Sequence, residues 1–398
     1  MKWEKVKLGK ILETLTDYHA NGSYEKLKAN IELLSEPNYA VMIRTKNLES
    51  NDFQQDLKYI TQSAYDFLEK SKVFSNDILM NKIANAGSVY LMPEIEVPVS
   101  LAMNLFLIRV TPQKANQIFV FYQLKFREVY IKQFANGTAT QTITKEAVRN
   151  LEFFLPPIQT QNRIASSLGA IDTRLTQLRR KHELLQTYKR GVMQKIFSQE
   201  MRFKGAIGSE FPEWDKKKLG ELGEVIAGLT YSPSDVRKEG LLVLRSSNVQ
   251  DGKLAFDDCV FVNKVIDSKS LSREGDILIC VRNGSTNLIG KNALISKNIP
   301  PSTHGAFMVV FRSNRSSFIF QLFQTAVYKR QVYQDLGARI NSINSDRLRK
   351  YRFLIPCVEE QEKIANFLTA IDRKIEVVAQ QINRTEQFKK GLLQKMFV

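Results

Sequence analysis

At 398 residues the chain is long enough for two or three domains, each able to bury its own core. Its 58 Lys plus Arg against 41 Asp plus Glu leave a formal charge of +17, which points to an anionic partner, nucleic acid before a membrane surface. The three cysteines, Cys259, Cys280 and Cys357, have no CxxC spacing, no signal-peptide core opens the chain, and no run approaches the ~18 apolar residues of a membrane span, so a reducing, cytoplasmic setting without membrane, structural zinc or disulfides is expected.

Taken in chain order, Trp3-Glu4-Lys5-Val6-Lys7-Leu8-Gly9 opens a mixed α/β module over residues 1–152. Strands are predicted at Val89–Met92 and Leu105–Val110, set off by the turn residues Asn85-Ala86-Gly87-Ser88. A helix is predicted at about 117–134, just before Asn136-Gly137. Pro156-Pro157 then mark the start of a helical region, 153–200. Its Ile164, Leu168, Ile171, Leu175 and Leu178 alternate spacings of four and three, the a/d seam of a coiled coil. A second module, 201–352, begins with a linker at 201–213. It carries predicted strands at Ile277–Arg282, Ala293–Ser296 and Ala306–Phe311, the turn Asn283-Gly284-Ser285, and a helix at about 318–335 before Gly337. The last region, 353–398, repeats the seam with Ile364, Leu368, Ile371, Ile375 and Val378. The register falters at His182, Lys189, Thr385 and Lys389, where Tyr188 and Phe388 are expected to supply apolar contacts.

The chain is written twice. Residues 153–197 return as residues 353–397 with no gap, and the trio Ala170-Ile171-Asp172 recurs as Ala370-Ile371-Asp372. Gln161/Gln361, Leu168/Leu368, Lys189/Lys389 and Phe197/Phe397 are further identities, and the only two tryptophans, Trp3 and Trp214, occupy equivalent points. Between these anchors only echoes survive: Arg44-Thr45-Lys46-Asn47 faces Arg245-Ser246-Ser247-Asn248, Asp77-Ile78-Leu79 faces Asp276-Ile277-Leu278, and Gly137 and Ile143 face Gly337 and Ile343. So long a repeat is a duplicated module rather than a solenoid. The expected fold is α+β: two pseudo-twofold-related α/β modules separated by two long helices. Neither helix can bury its seam alone, so the two are expected to pair as an antiparallel coiled coil. Two modules sharing a frame but differing between anchors suit two readers of two different targets. Charge on the helices is uneven, net +6 over 156–199 and net +1 over 356–398.

Catalytic motifs are missing. There is no glycine-rich P-loop, cofactor loop, HExxH or paired-acid nuclease cluster, and Asn298-Ile299-Pro300-Pro301-Ser302 departs from the Asn-Pro-Pro-aromatic pattern of amino-methyltransferases. With only His19, His182 and His304, an imidazole-based site is poorly supplied. No catalytic and no metal-ligating residue is assigned.

The pattern Pro156-Pro157 through Gln161, Ile164-Ala165, Leu168 and Ile171-Asp172, its copy from Pro356 through Gln361, Ile364-Ala365, Leu368 and Ile371-Asp372, and the linker Met201-Arg202-Phe203 before Pro212-Glu213-Trp214 resemble type I restriction-modification specificity subunits. The resemblance covers the whole chain; Cys357 departs from it where the first copy has a second proline. It implies a non-catalytic reader of an asymmetric bipartite site in double-stranded DNA that joins two methyltransferase subunits and two restriction subunits. Adenine methylation with S-adenosylmethionine, and cleavage with ATP and Mg2+, would belong to those partners. The competing reading is a specificity-like scaffold of another restriction-modification class, or a scaffold that binds nucleic acid without sequence preference.

Sequence reading requires phosphate contacts for position and base-edge contacts for identity, from basic and amide side chains on polar loops. That chemistry points to Arg44, Lys46, Lys82, Asn85, Gln141 and Lys145 in the first module. In the second it points to Arg245, Ser247, Arg282, Asn283, Asn341 and Arg347.

Overall fold

The computed structural model describes residues 3–135, 141–336 and 341–397; the expected turns at Asn136-Gly137 and Gly337 lie outside the described residues. The chain forms two compact units. One comprises Met1–Leu178 with Gln381–Val398, the other Arg179–Gln380. The units therefore cut across the four segments read from the sequence, because each takes part of both long helices.

In the first unit a four-stranded antiparallel sheet has the order Leu12–Asp17, Leu105–Val110, Ile78–Asn81, Val89–Leu91. The two central strands, LFLIRV and ILMN, are almost continuously apolar and buried, which suits strands covered on both faces. A second sheet has the order Tyr59–Ile60, Ala40–Ile43, Val99–Leu101, Lys72–Val73, with Ala40–Ile43 and Val99–Leu101 parallel. Glu4–Lys7 pairs antiparallel with Glu152–Leu155, so the first strand of the module is tied to its last. The helix expected over 117–134 is two, Gln117–Phe126 and Glu128–Lys132, broken at Arg127. The first of them starts where the Asn116 side chain accepts from the Phe119 N–H at 2.9 Å, a cap for an otherwise orphaned donor.

The second unit repeats the antiparallel sheet strand for strand, and its other sheet keeps three of the four strands in the same order but carries the fourth on the opposite edge. Its antiparallel sheet runs Glu224–Ala227, Met308–Arg312, Ile277–Cys280, Asn292–Leu294. Its other sheet runs Val236–Arg237, Phe261–Val262, Leu241–Leu244, Ser302–His304, again with one parallel pair, Leu241–Leu244 beside Ser302–His304. Asp215–Lys218 closes on Arg352–Ile355. The hairpin Val249–Gln250 with Lys253–Leu254 is an addition that the first unit lacks among the described residues. The helix expected over 318–335 is likewise divided, into Ser316–Phe323 and Ala326–Leu336.

The long helices span Ile158–Phe197 and Val358–Phe397. Each begins beyond its proline signal, and the repeated glutamine explains how. Gln161 Nε2 donates to the Pro156 carbonyl at 2.9 Å, and Gln361 Nε2 donates to Pro356 at 2.8 Å. Within the first unit, Ile164, Ala165 and Leu168 join a core shared with Leu392, Leu393, Met396 and Phe397, while Asp172 further along meets Lys389 at 2.5 Å. The two segments therefore run antiparallel. The second unit pairs Asp372 with Lys189 at 2.6 Å and packs Ile364, Ala365, Leu368 and Ile371 with Val192, Met193 and Ile196. Of the seam positions, Ile171 and Ile375 are half-buried; Ile164, Leu168, Leu175, Leu178, Ile364, Leu368, Ile371 and Val378 are buried.

Lys189 and Lys389 are thus not register defects. Each ammonium is neutralised by the aspartate of the repeated Ala-Ile-Asp trio on the opposing segment. Tyr188 and Phe388, expected to fill in, are 53% and 62% exposed. Asp172 also accepts from the Tyr122 hydroxyl at 2.7 Å, and Asp372 from Gln321 Nε2 at 2.8 Å. Burial, with the Asp172 carboxylate beside it, pushes the Tyr122 phenol up, so it stays protonated and remains the donor.

Candidate DNA interface

Each unit gathers the same four segments at one end of its antiparallel sheet. In the first unit the chain leaving Ile78–Asn81 is anchored on both sides. The Lys82 N–H donates to the Asn104 carbonyl at 2.7 Å, the Lys82 carbonyl accepts from Ile143 at 3.0 Å, and the Ala84 N–H donates to the Gln141 carbonyl at 3.1 Å. Asn85 Nδ2 donates to Glu49 at 3.3 Å, which adds the helix Thr45–Ser50 to the group. In the second unit Val281 and Arg282 donate to the Phe307 carbonyl at 3.0 and 3.1 Å, Ile343 donates to the Val281 carbonyl at 2.7 Å, and Arg282 bridges Ser342. Asn283 Nδ2 donates to Ser246 Oγ at 2.9 Å, bringing in the turn Ser246–Asn248.

The twelve sequence-derived residues fall on or beside these segments, in different states. Lys82 and Lys145 converge on one aspartate: each ammonium lies 2.9 Å from Asp17. Burial alone would raise the Asp17 carboxyl, but the two lysines outweigh it and hold it below the ordinary carboxylate value. Arg44 and Lys46 share Asp56, at 3.6 and 2.5 Å. Asn85 also accepts from Lys132 at 2.9 Å, and Gln141 is exposed. In the second unit Arg245 is held by Asp258 at 2.7 Å and Arg347 by Asp335 at 3.2 Å. Ser247 and Asn341 are exposed, and the Asn283 side-chain Oδ1 accepts from the Ser285 N–H at 3.0 Å. Arg282 is exposed, with its guanidinium 5.6 Å from the centre of the Phe307 ring and no carboxylate partner among the described residues.

Among the participants not read from the sequence are Asp17, Glu49 and Phe307. Asp17 follows Thr16 at the end of a strand, where two buried polar residues in succession are a signal that cations lie near. Phe307 is 56% exposed immediately before the strand Met308–Arg312; nothing in the local pattern separates it from a core aromatic.

Strand registers allow the two interfaces to be compared position by position. Arg109 makes a two-pronged pair with Asp77, Nε to Oδ1 at 2.7 Å and Nη2 to Oδ2 at 2.6 Å. Arg312 repeats it on Asp276 at 2.8 and 2.7 Å. With these arginines superposed, the registers set Asp17 opposite Ala227, Lys82 opposite Val281, Ile83 opposite Arg282 and Asn104 opposite Phe307. Ser345 stands where Lys145 does, just after the capping residues Thr144 and Asn344. The whole Asp17–Lys82–Lys145 group is replaced by three uncharged residues. The charge reappears one residue along, as Arg282. By contrast, Arg44 and Arg245 both donate their backbone N–H to a buried asparagine, Asn47 at 3.3 Å and Asn248 at 2.9 Å, so that echo belongs to the shared frame.

No group of three or more His, Cys, Asp or Glu among the described residues is arranged to hold a metal ion, and no described helix is long and apolar enough to cross a membrane.

A duplicated frame with a polar, cation-bearing loop cluster in each copy defines a class, a two-module protein with one candidate anion-facing surface per module. The comparisons narrow the class. The family described as "Type I restriction modification DNA specificity domain" matches residues 1–186 and 212–387, and the chain belongs to that family. It is 25% identical over 342 residues to the type I restriction enzyme MjaVIII specificity subunit of Methanocaldococcus jannaschii, covering 81% of this chain and 78% of that one. It is 28% identical over 197 residues to the EcoKI specificity subunit of Escherichia coli, covering 46% and 42%. Among solved structures, the S subunit of a type I restriction-modification system from M. genitalium has a TM-score of 0.67 at 16% identity, covering 100% of this chain and 96% of that one. A chain from a structural study of complex assembly and conformational transition in the type I system gives 0.51 at 18% identity, covering 99% and 97%. At these identities the structural likenesses show the fold.

Proposed function

We propose that the chain reads an asymmetric bipartite DNA sequence, one half-site per unit, and that it does so as the non-catalytic subunit of a complex with methyltransferase and restriction subunits. The observation that carries this reading is the paired interface: one backbone frame gathers corresponding segments twice and presents Asp17, Lys82, Ile83, Asn104 and Lys145 in one copy but Ala227, Val281, Arg282, Phe307 and Ser345 in the other. Backbone frames set position, and differing side chains on the base edges set sequence. The excess of 58 basic over 41 acidic residues supplies the sequence-independent attraction to phosphate. Two methyltransferase and two restriction subunits, with S-adenosylmethionine, ATP and Mg2+ bound on them, complete the proposal.

The test is selection from a pool of random duplex DNA by the full chain, followed by sequencing. The enriched motif should contain two unlike halves separated by unread positions. Replacing residues 10–150 with the matching segment of a relative should change one half and leave the other. A replacement that alters both halves, or neither, contradicts the two-reader proposal. Co-purification with methyltransferase subunits tests the assembly separately.

A further inference from the structure

Seven cations were picked out across the two interfaces, and six of them are already paired. Arg44 and Lys46 lie on Asp56, Lys82 and Lys145 on Asp17, Arg245 on Asp258 and Arg347 on Asp335. Each must weaken an existing ion pair before its charge is available to DNA. Arg282 is the exception. It is exposed, has no carboxylate partner among the described residues, and lies over the half-exposed ring of Phe307. Its backbone is fixed twice, by the N–H donated to Phe307 at 3.1 Å and by the bridge to Ser342. A cation–π contact draws the guanidinium toward the exposed ring while leaving its N–H groups free.

We propose that Arg282 is the specificity-determining residue of the second unit and that it reads a guanine in the major groove, with Phe307 as its platform. A planar fork of donors fits the N7 and O6 acceptors of guanine, and no other base edge in that groove offers two acceptors so placed. A phosphate contact needs only charge; a planar fork with no carboxylate to share it is suited to the more demanding geometry of a base edge. The first unit has Ile83 and Asn104 at the corresponding positions, so guanine reading at this point belongs to the second unit alone. The inference rests on the proposal that each unit reads one half-site.

The experiment repeats the random-duplex selection with the full chain carrying Arg282→Ala, Arg282→Lys or Phe307→Ala. The half-site of the second unit is assigned beforehand by module exchange. For Arg282→Ala, one guanine of that half-site should become degenerate, with discrimination falling roughly 10- to 100-fold. The first unit's half-site should be unchanged, which also reports that the chain is folded. Arg282→Lys keeps the charge but not the fork and should lose most of that discrimination. Phe307→Ala should lose a smaller part. An unchanged motif with affinity lowered evenly and a shallower salt dependence would make Arg282 a phosphate contact and overturn the inference. So would full discrimination in Arg282→Lys, or a second half-site that contains no guanine. If the unaltered chain enriches no motif at all, the recognition proposal itself fails, and the inference with it.

Discussion

The two units differ least in the antiparallel sheet and helix contacts they share and most at the loop ends proposed to face DNA. Asp77–Arg109 and Asp276–Arg312 are the same pair to within about a tenth of an ångström, as are the helix-start hydrogen bonds of Gln161 and Gln361. The Asp172–Lys389 and Asp372–Lys189 pairs also match, although their third partners are a tyrosine and a glutamine. At the loop ends the correspondence stops. Asp17, Lys82 and Lys145 correspond to Ala227, Val281 and Ser345, so a cluster of one buried aspartate and two half-buried lysines is absent as a whole from the second unit. Removing one member would strand the others without partners. The loop ends therefore differ in charge while the antiparallel sheet beneath them is kept.

The comparison can be broken most forcefully at the seam. Leu168 and Leu368 are fully buried, each in its own unit's core. Leu168→Asp and Leu368→Asp should each cost more than about 3 kcal/mol, because a carboxylate would lie among apolar neighbours. Hydrogen exchange should show lost protection first in the unit that carries the substitution; equal loss in both units for either variant would deny that the units have separate cores. Next come Arg109→Met and Arg312→Met. Each leaves an almost fully buried aspartate without its partner, and each should cost roughly 3 kcal/mol by denaturant titration. The comparison predicts near-equal values, and a difference of more than about half would mean that the two frames are not equivalent.

Asp17→Asn sharpens the contrast because it has no counterpart in the second unit. Two partly exposed lysines lose their carboxylate, at a cost of about 1 kcal/mol. The folded carboxyl lies below its ordinary value, so its stabilisation is fully present above the unfolded value of about pH 4 and disappears as pH falls through the lower folded value. The unaltered chain and Asp17→Asn should therefore differ in stability at pH 7 and converge below about pH 4; a constant difference across that range would show that the charge is not the cause. The smallest effects belong to Lys189→Met and Lys389→Met, about 0.5 kcal/mol each, since Asp372 and Asp172 are over a third exposed and keep a second donor.

Much of the frame was legible because duplication marks it. The identical Gln161/Gln361, Asp172/Asp372 and Lys189/Lys389 proved to be the residues that start and join the helices, and the echo Asp77/Asp276 proved to be half of a buried pair. The alternating seam followed from periodicity, and the strands at Leu105–Val110 and Ile277–Arg282 from apolar runs set off by turn residues, the second ending two residues short at Cys280. What escaped was long-range pairing. Lys82 and Lys145 are chemically plausible DNA contacts in isolation, and only the fold reveals that one aspartate, 65 residues from the first and 128 from the second, holds both. Arg44 and Arg245 attracted attention through an echo that serves the frame. Lys189 and Lys389 looked like flaws because periodicity records polarity but not the carboxylate on the facing segment.

The claim that the two units are independent readers is tested most directly by making them the same. In a chain whose residues 215–355 are replaced by a copy of residues 4–155, from the opening strand to the closing strand of the first module, both interfaces would carry Asp17, Lys82, Ile83, Asn104 and Lys145. Selection from random duplex DNA should then return a motif in which the first unit's half-site occurs twice and the guanine-containing half has vanished. A motif that retains the second half-site, or two unlike halves of any kind, would contradict the account.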